Sequence, residues 1–303
     1  MMELTIFQQK ISALFPNIDL RFNELMEKHT SFRIGGPAAV MAFPKTKEEL
    51  ALILAAAQKE DIPFSVLGAG TNVLAPDAGL PGLVLCLKDA LQGMEQLDDT
   101  RICVAAGVTM TRAAVFAAER NLGGMEFAHG IPGTVGGGVY MNAGAYGGEI
   151  KDICESVEVM DLQGNCRCIT CEEMGFSYRH SRLEDEGGIV VGAVFRLTPK
   201  PCVEVRALMQ ELIGKRSKSQ PLDLPSAGSA FKRPIGGYAA AMIDEAGLKG
   251  FRVGGAAVSE KHAGFVVNLG GATAEDVKTL LAEVARIVYE KTGIHLEPEV
   301  RIW

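Results

Sequence analysis

The chain concentrates residues able to do chemistry in a few short stretches, and the densest is made of glycine. From Gly130 to Gly148 it reads G-I-P-G-T-V-G-G-G-V-Y-M-N-A-G-A-Y-G-G, eight glycines in nineteen residues. Glycine loses more backbone entropy on ordering than any other residue, so a run like this is kept where the main chain takes positive φ or something approaches it closely. A phosphate cradled by successive N–H groups is one such partner; tight turns without a ligand are the other reading. A second, shorter glycine turn, Gly68-Ala69-Gly70-Thr71-Asn72, lies far upstream. Two distant loops of this kind point to one long diphosphate ligand gripped from two sides.

Two familiar dinucleotide and nucleotide signatures fail. Gly68 and Gly70 supply the first two glycines of a Rossmann fingerprint, but Val73 stands at the third position, and Pro76 and Gly79 follow where a helix should begin. No Walker lysine follows either loop.

Other reactive side chains are scattered. Phe176-Ser177-Tyr178-Arg179-His180-Ser181-Arg182 is polar and non-periodic, and reads either as a site or as a surface hairpin. Ser229 sits among small residues in Ala227-Gly228-Ser229-Ala230, but lacks the Gly-x-Ser-x-Gly elbow of a hydrolase, and its spacing alone reads as a turn serine. Glu297 and Glu299 flank Pro298 near the end, each either a salt-bridged edge residue or a functional acid. Lys215-Arg216-Ser217-Lys218 is a basic cluster, either a solvated helix end or a clamp for an anion. Cys166, Cys168 and Cys171 lie around the turn-like Gly164-Asn165 with no well-spaced fourth ligand, so half-buried strand thiols are expected there and no metal.

The elements that must position these groups follow from periodicity. Helices are expected over Ile6–Phe15, from Thr46 to near Asp61 with a Thr46/Glu49 capping box, over Thr111–Arg120, Val203–Ser219 and Ala239–Ala246, and from Thr273 to Gly293. The last carries Val277, Leu280, Leu281, Val284, Ile287 and Val288 on one face. Strands are expected over Phe64–Leu67 (buried), Leu83–Leu87, Arg101–Ala106, Glu155–Asp161, Cys166–Thr170, Gly188–Leu197, Gly264–Leu269 and Ile294–Ile302. The opening reads as βαβ-like, and the texture changes near Pro199, where a domain boundary is expected.

A chain of 303 residues calls for two or three domains. Hydrophobic content of 48% and charged content of 22% are those of an ordinary globular protein. The net charge of −7 argues against nucleic acid as the main partner. Seven cysteines, an odd number, indicate thiols in a reducing cytoplasm. Residues 1–10 lack the pattern of a secretory signal, and no apolar run is long enough to span a membrane.

Taken in order, G-A-G-T-N, G-I-P-G-T-V-G-G-G-V-Y-M-N-A-G-A-Y-G, S-Y-R-H-S, S-A-G-S-A-F-K-R-P and E-P-E-V-R resemble the UDP-N-acetylenolpyruvoylglucosamine reductase family, from His29 to Arg301. The resemblance implies an α+β protein. Residues 1–200 would form a two-subdomain FAD-binding module of the vanillyl-alcohol oxidase/p-cresol methylhydroxylase type, split near 85–100. Residues 201–303 would form an α/β substrate domain, with 294–303 returning toward the flavin. It implies noncovalent FAD held by Leu67, Gly68, Ala69, Gly70, Thr71, Asn72 and Val73 and by Ile131, Pro132, Gly133, Thr134, Gly137 and Asn142-Ala143-Gly144-Ala145-Tyr146. NADPH would be the hydride donor and the enolpyruvyl ether of UDP-N-acetylglucosamine the acceptor. Three residues match the family's catalytic positions: Arg179 to stabilise enolate charge, Ser229 to protonate C2, and Glu299 to hydrogen-bond the substrate carboxylate. Tyr178, Arg216, Lys218, Gln220, Lys232 and Arg233 are substrate candidates as a group. The compact segment between Arg182 and Val203 leaves little room for the tyrosine lid of some members, so this chain resembles the shorter class. A cytoplasmic enzyme of peptidoglycan synthesis with no obligate protein partner is the expectation. A sugar or alcohol oxidase of the same superfold, or a nucleotide-sugar sensor, are the alternatives.

Overall fold

A computed structural model describes residues 5–303. Residues 1–4, part of the stretch on which the reading against a signal peptide rests, lie outside the described residues. The chain divides into two compact units. The first contains residues up to Phe22, Ala39–Ala69 and Gly82–Lys215; the second contains Asn23–Ala38, Gly70–Pro81 and Arg216–Trp303.

Unit 1 is built on two sheets. The five-stranded one runs in the order Cys166–Thr170, Cys154–Met160, Ile189–Arg196, Arg101–Ala105, Met94–Gln96, all neighbours antiparallel. Its inner face packs on the alanine-rich helix Met110–Ala118, which Thr109 caps by accepting from the Arg112 amide. Alanine serves here because Ala113, Ala114, Ala117 and Ala118 are all buried, and small side chains let helix and sheet approach closely. The four-stranded sheet has the order Asp19–Leu25, Pro37–Phe43, Leu80–Cys86, Phe64–Leu67, the last pair parallel. Its core takes Leu50, Ile53 and Leu54 from the helix Lys47–Lys59 and Ile11 from the helix Ile6–Leu14. The helix Lys47–Lys59 therefore links two strands of one sheet that have a third between them.

Unit 2 has a four-stranded antiparallel sheet, ordered Ser226–Ser229, Phe265–Asn268, Ala256–Val258, Arg252–Val253. Helices Ala239–Glu245 and Ala274–Thr292 bury their apolar faces in its core. Thr273 and Asp276 close a capping box on the longer helix, and Gly293 ends it at φ +72.

Several expectations need correction. Thr46 accepts from the Glu49 amide, but the Glu49 carboxylate takes the Lys45 amide, so the box is half formed. In the strand Phe64–Leu67 only Leu67 is buried, because the strand lies at the sheet edge. Most of 294–302 is irregular: only Arg301–Ile302 is a strand, and Pro298 makes a single bridge to Phe231. Cys166 and Cys168 are exposed on the edge strand, and Cys171 is half-buried. Among the described residues no group of three His, Cys, Asp or Glu could hold a metal. The sequence boundary at 200/201 differs from the division between Lys215 and Arg216. The reason is packing: Val205 and Met209 of the helix Cys202–Ser219 belong to the core of unit 1. No helix is long and apolar enough to cross a membrane, among the described residues.

Candidate functional site

The long glycine stretch, read from sequence as loop, contains a helix, Val135–Tyr140. Thr134 nucleates it by accepting from the Gly137 amide at 3.3 Å. Two of its glycines answer to the protein's own core. A Cβ on Gly136 would lie 2.9 Å from the Ala106 Cβ, and one on Gly138 would lie 2.8 Å from the Met110 Sδ. Gly130, Gly133 and Gly147 have φ of +89, +132 and +89, which L side chains avoid.

The two glycine segments meet inside unit 1. A Cβ on Gly68 would stand 2.8 Å from Thr134 Oγ1, so the first turn reaches the N-cap of the helix in the second. Among the described residues, the amides of Gly68, Ala69, Gly133 and Thr134 donate to no acceptor in the chain. They bracket the positive end of a helix, as anion recognition requires. Other amides of the second segment are spent. Ile131, Asn142 and Ala143 donate to the carbonyls of Ala128, Val139 and Gly138. Pro132 has no amide hydrogen; Leu67 is buried; Gly144-Ala145 pairs with Gly148-Glu149; Tyr146 is exposed at φ +53.

The Tyr178-Arg179 segment is a two-residue turn. Ser177 and His180 exchange both backbone hydrogen bonds, at 3.1 and 3.3 Å, and Arg179 sits at φ +57. A left-handed arginine costs about 1–2 kcal/mol and persists only where its surroundings enforce it. Here Asn142, fully buried, donates from Nδ2 to the Ser177 carbonyl at 2.9 Å, and buried Ser181 donates to the Tyr140 carbonyl at 2.7 Å. The guanidinium donates to the Gly144 carbonyl at 3.3 Å and lies 4.9 Å from the centre of the Tyr178 ring. His180 instead faces Asp185, at 3.1 Å.

In unit 2 Ser229 and Glu299 are brought onto neighbouring backbone. The Glu299 amide donates to the Ala230 carbonyl at 2.9 Å, and the Lys232 amide to the Glu297 carbonyl at 2.8 Å. Ser229 is exposed and follows a bulge at Gly228, φ +79. The tail of the first glycine turn joins them: Asn72 Nδ2 donates to the Glu299 carbonyl at 3.1 Å, the Arg301 amide to the Asn72 carbonyl at 3.0 Å, and Val73 pairs with Arg301. Gly70 is packed so closely on His29 that a Cβ would meet its carbonyl oxygen at 2.0 Å. The two terminal carboxylates separate by environment. Glu297 is exposed and ion-pairs with Lys232, while Glu299 is half-buried.

The remaining substrate candidates lie in both units. Tyr178 is exposed in unit 1. In unit 2 buried Arg216 donates from Nη1 to Gln220 Oε1 at 3.1 Å, Lys218 is exposed, and the Arg233 guanidinium lies 4.1 Å from the centre of the Tyr238 ring. No motif or spacing signals the fixing roles of Asn142 and Ser181. Both depend on hydrogen bonds to carbonyls 35 and 41 positions away.

Comparison with known proteins decides the family. Residues 220–303 match the model described as UDP-N-acetylenolpyruvoylglucosamine reductase, C-terminal domain, and residues 37–170 match an FAD binding domain. A UDP-N-acetylenolpyruvoylglucosamine reductase of Caldanaerobacter subterraneus subsp. tengcongensis is 45% identical over 297 residues, covering 98% of each chain. The chain belongs to the UDP-N-acetylenolpyruvoylglucosamine reductase family. Its namesake from Lachnoclostridium phytofermentans is 46% identical over 300 residues, covering 98% of this chain and 97% of the other. The crystal structure of UDP-N-acetylenolpyruvylglucosamine reductase from Thermus caldophilus superposes with a TM-score of 0.77 at 37% identity, covering 95% of this chain and 99% of that one. The chain is thus an FAD oxidoreductase of α+β fold.

Proposed function

We propose that this enzyme reduces the enolpyruvyl ether of UDP-N-acetylglucosamine to UDP-N-acetylmuramate with NADPH as hydride donor, in the cytoplasm, for peptidoglycan synthesis. Unit 1 then serves mainly the flavin, and the part of unit 2 from Arg216 onward mainly the substrate. The observation that carries the reading is the seat of Arg179: a guanidinium on a strained, locked turn, bonded to Gly144 of the segment assigned to FAD. The fit for FAD rests on the cradle at Gly68 and Thr134, which excludes a Cβ and offers unpaired amides. Gly68, Ala69, Gly133 and Thr134 would hold the pyrophosphate, with Gly70, Thr71, Asn72, Val73 and Ile131 continuing the two segments. When bound, FAD supplies a carrier that takes hydride from one partner and yields it to the next.

The chain's own residues do the rest. Hydride addition at C3 of the enolpyruvyl group leaves negative charge on C2 and its carboxylate, and Arg179 stabilises that charge from a fixed position. Ser229 Oγ–H delivers the proton to C2. Glu299, in its protonated form, hydrogen-bonds the substrate carboxylate. Lys232 is paired with Glu297, so its charge is already matched before any alkoxide forms on Ser229. Arg216, Lys218, Gln220 and Arg233 are assigned to the diphosphate as a group.

The test is spectral. The purified protein should be yellow, bleach on anaerobic addition of NADPH, and regain colour with the enolpyruvyl ether. A protein that stays colourless with added FAD, or reduced flavin that only oxygen reoxidises, would overturn the reading; the second result would favour the oxidase alternative.

A further inference from the structure

We propose that Asn142 is a positioning residue for Arg179 and makes no contact with the cofactor through its side chain. The proposal rests on the assignment of Arg179 as the charge-stabilising group.

The argument is one of hydrogen-bond capacity. A primary amide offers two donors and one acceptor oxygen. Asn142 Nδ2 donates to the Ser177 carbonyl at 2.9 Å and to Glu149 Oε2 at 2.8 Å, and its Oδ1 accepts from the Lys151 amide at 3.0 Å. Its own amide hydrogen goes to Val139. The residue is 0% exposed and sits at φ +42, where asparagine is among the better-tolerated side chains. Both amide hydrogens and its own N–H are therefore committed within the protein. What they hold is the first residue of the Ser177–His180 turn, and so the left-handed backbone of Arg179 two positions on. Ser181 secures the far side through Tyr140. Because the guanidinium hangs from a turn that relaxation would open, a small displacement at Ser177 moves the charge away from the place where the substrate's charge develops. Misplacement by about 1 Å costs on the order of 10²-fold in rate.

The experiment combines Asn142→Ala and Arg179→Ala, singly and together, in the FAD-loaded protein. Asn142→Ala should leave flavin content and NADPH-driven bleaching within about twofold, yet slow reoxidation by the enolpyruvyl ether about 10²-fold. In the Arg179→Ala background the same change should cost nothing further. Independently of any activity, amide hydrogen exchange at Ser177 and His180 should quicken about tenfold in Asn142→Ala, the effect of losing one hydrogen bond. Should Asn142→Ala not fold, Asn142→Gly suits the φ of +42 and removes the side chain without adding a charge, and it should give the same exchange and kinetic results. Additive losses in the double variant, loss of flavin, or unchanged exchange at Ser177 and His180 would overturn the proposal. A wild-type enzyme that the ether fails to reoxidise would instead overturn the reading of Arg179, while the exchange result would stand on its own.

Discussion

The Arg179 turn and the Ser229–Glu299 region hold their side chains by opposite means. Arg179 is fixed by side chains of other residues: Asn142 and Ser181, both buried, reach main-chain carbonyls and keep a left-handed arginine in place. Ser229 and Glu299 are fixed mainly by main chain, through a bulged strand and amide–carbonyl bonds between 230–232 and 297–299, to which Asn72 Nδ2 adds one bond on the Glu299 carbonyl. The contrast fits two chemical demands. A charge stabiliser gains from being immobile before the reaction, since reorganisation costs are then already met. A proton donor needs a reachable hydroxyl, and the Ser229 position is exposed. The first solution stores strain and the second stores none, so the two regions should fail differently when mutated.

The largest effect should come from Ser229→Ala. Loss of a well-placed acid costs about 10²–10⁴ in rate. Rapid mixing should show NADPH-driven bleaching unchanged and reoxidation by the ether nearly abolished. Thermal unfolding should be unaltered, because an exposed hydroxyl contributes little to stability. Full turnover in this variant would remove Ser229 from the mechanism.

Arg179→Gly sharpens the contrast from the other side. Glycine accepts φ +57 freely, so the strain of about 1–2 kcal/mol disappears, offset by the ~0.5–1 kcal/mol that glycine loses to unfolded-state freedom. Stability measured by denaturant should therefore hold or rise slightly, while the ether half-reaction falls about 10²–10³-fold. A fold that collapses in Arg179→Gly would mean that the arginine side chain supports the turn, reversing the direction of the argument.

How much of this was legible beforehand differs between the regions for the same reason. Motif order put forward Arg179, Ser229 and Glu299 as candidates, and periodicity located the strand at Cys166–Thr170 and the face of the helix Ala274–Thr292. The left-handed state of Arg179 was not legible, because nothing in Y-R-H-S forbids an ordinary turn; the bonds that impose it come from Asn142 and Tyr140. The helix inside the glycine stretch was hidden too. Glycine is a poor helix former, and only packing against Ala106 and Met110 shows why Gly136 and Gly138 are required in one. Glu297 and Glu299 could not be told apart in E-P-E, since burial and the Lys232 partner are properties of the folded chain.

That last pair gives a smaller, paired prediction. If Glu299 acts in its protonated form, Glu299→Gln keeps a donor at that position and should lower the ether half-reaction about tenfold, the cost of one altered hydrogen bond. Glu297→Gln breaks only an exposed ion pair, which contributes ~0–1 kcal/mol, and should stay within about twofold. Equal losses at the two sites would erase the distinction drawn from burial.

The smallest effect concerns the cap of the helix Ala274–Thr292 in unit 2. Asp276 accepts from the amides of Thr273 and Gly255 at 3.0 and 3.2 Å, and these bonds hold its carboxyl below the usual aspartate range. A carboxyl with a depressed folded pKa stabilises the fold above its unfolded value, and that contribution is lost as pH falls through the folded value. Asp276→Asn should therefore melt lower than wild type at neutral pH, and the gap should close as the pH drops below about 4, the unfolded aspartate pKa. Asparagine retains a carbonyl oxygen able to accept, so the difference isolates the charge, including its attraction to the helix N-terminus. A melting gap that persists unchanged into acid would assign the effect to packing around Gly254, whose missing Cβ would sit 2.3 Å from Asp276 Oδ1.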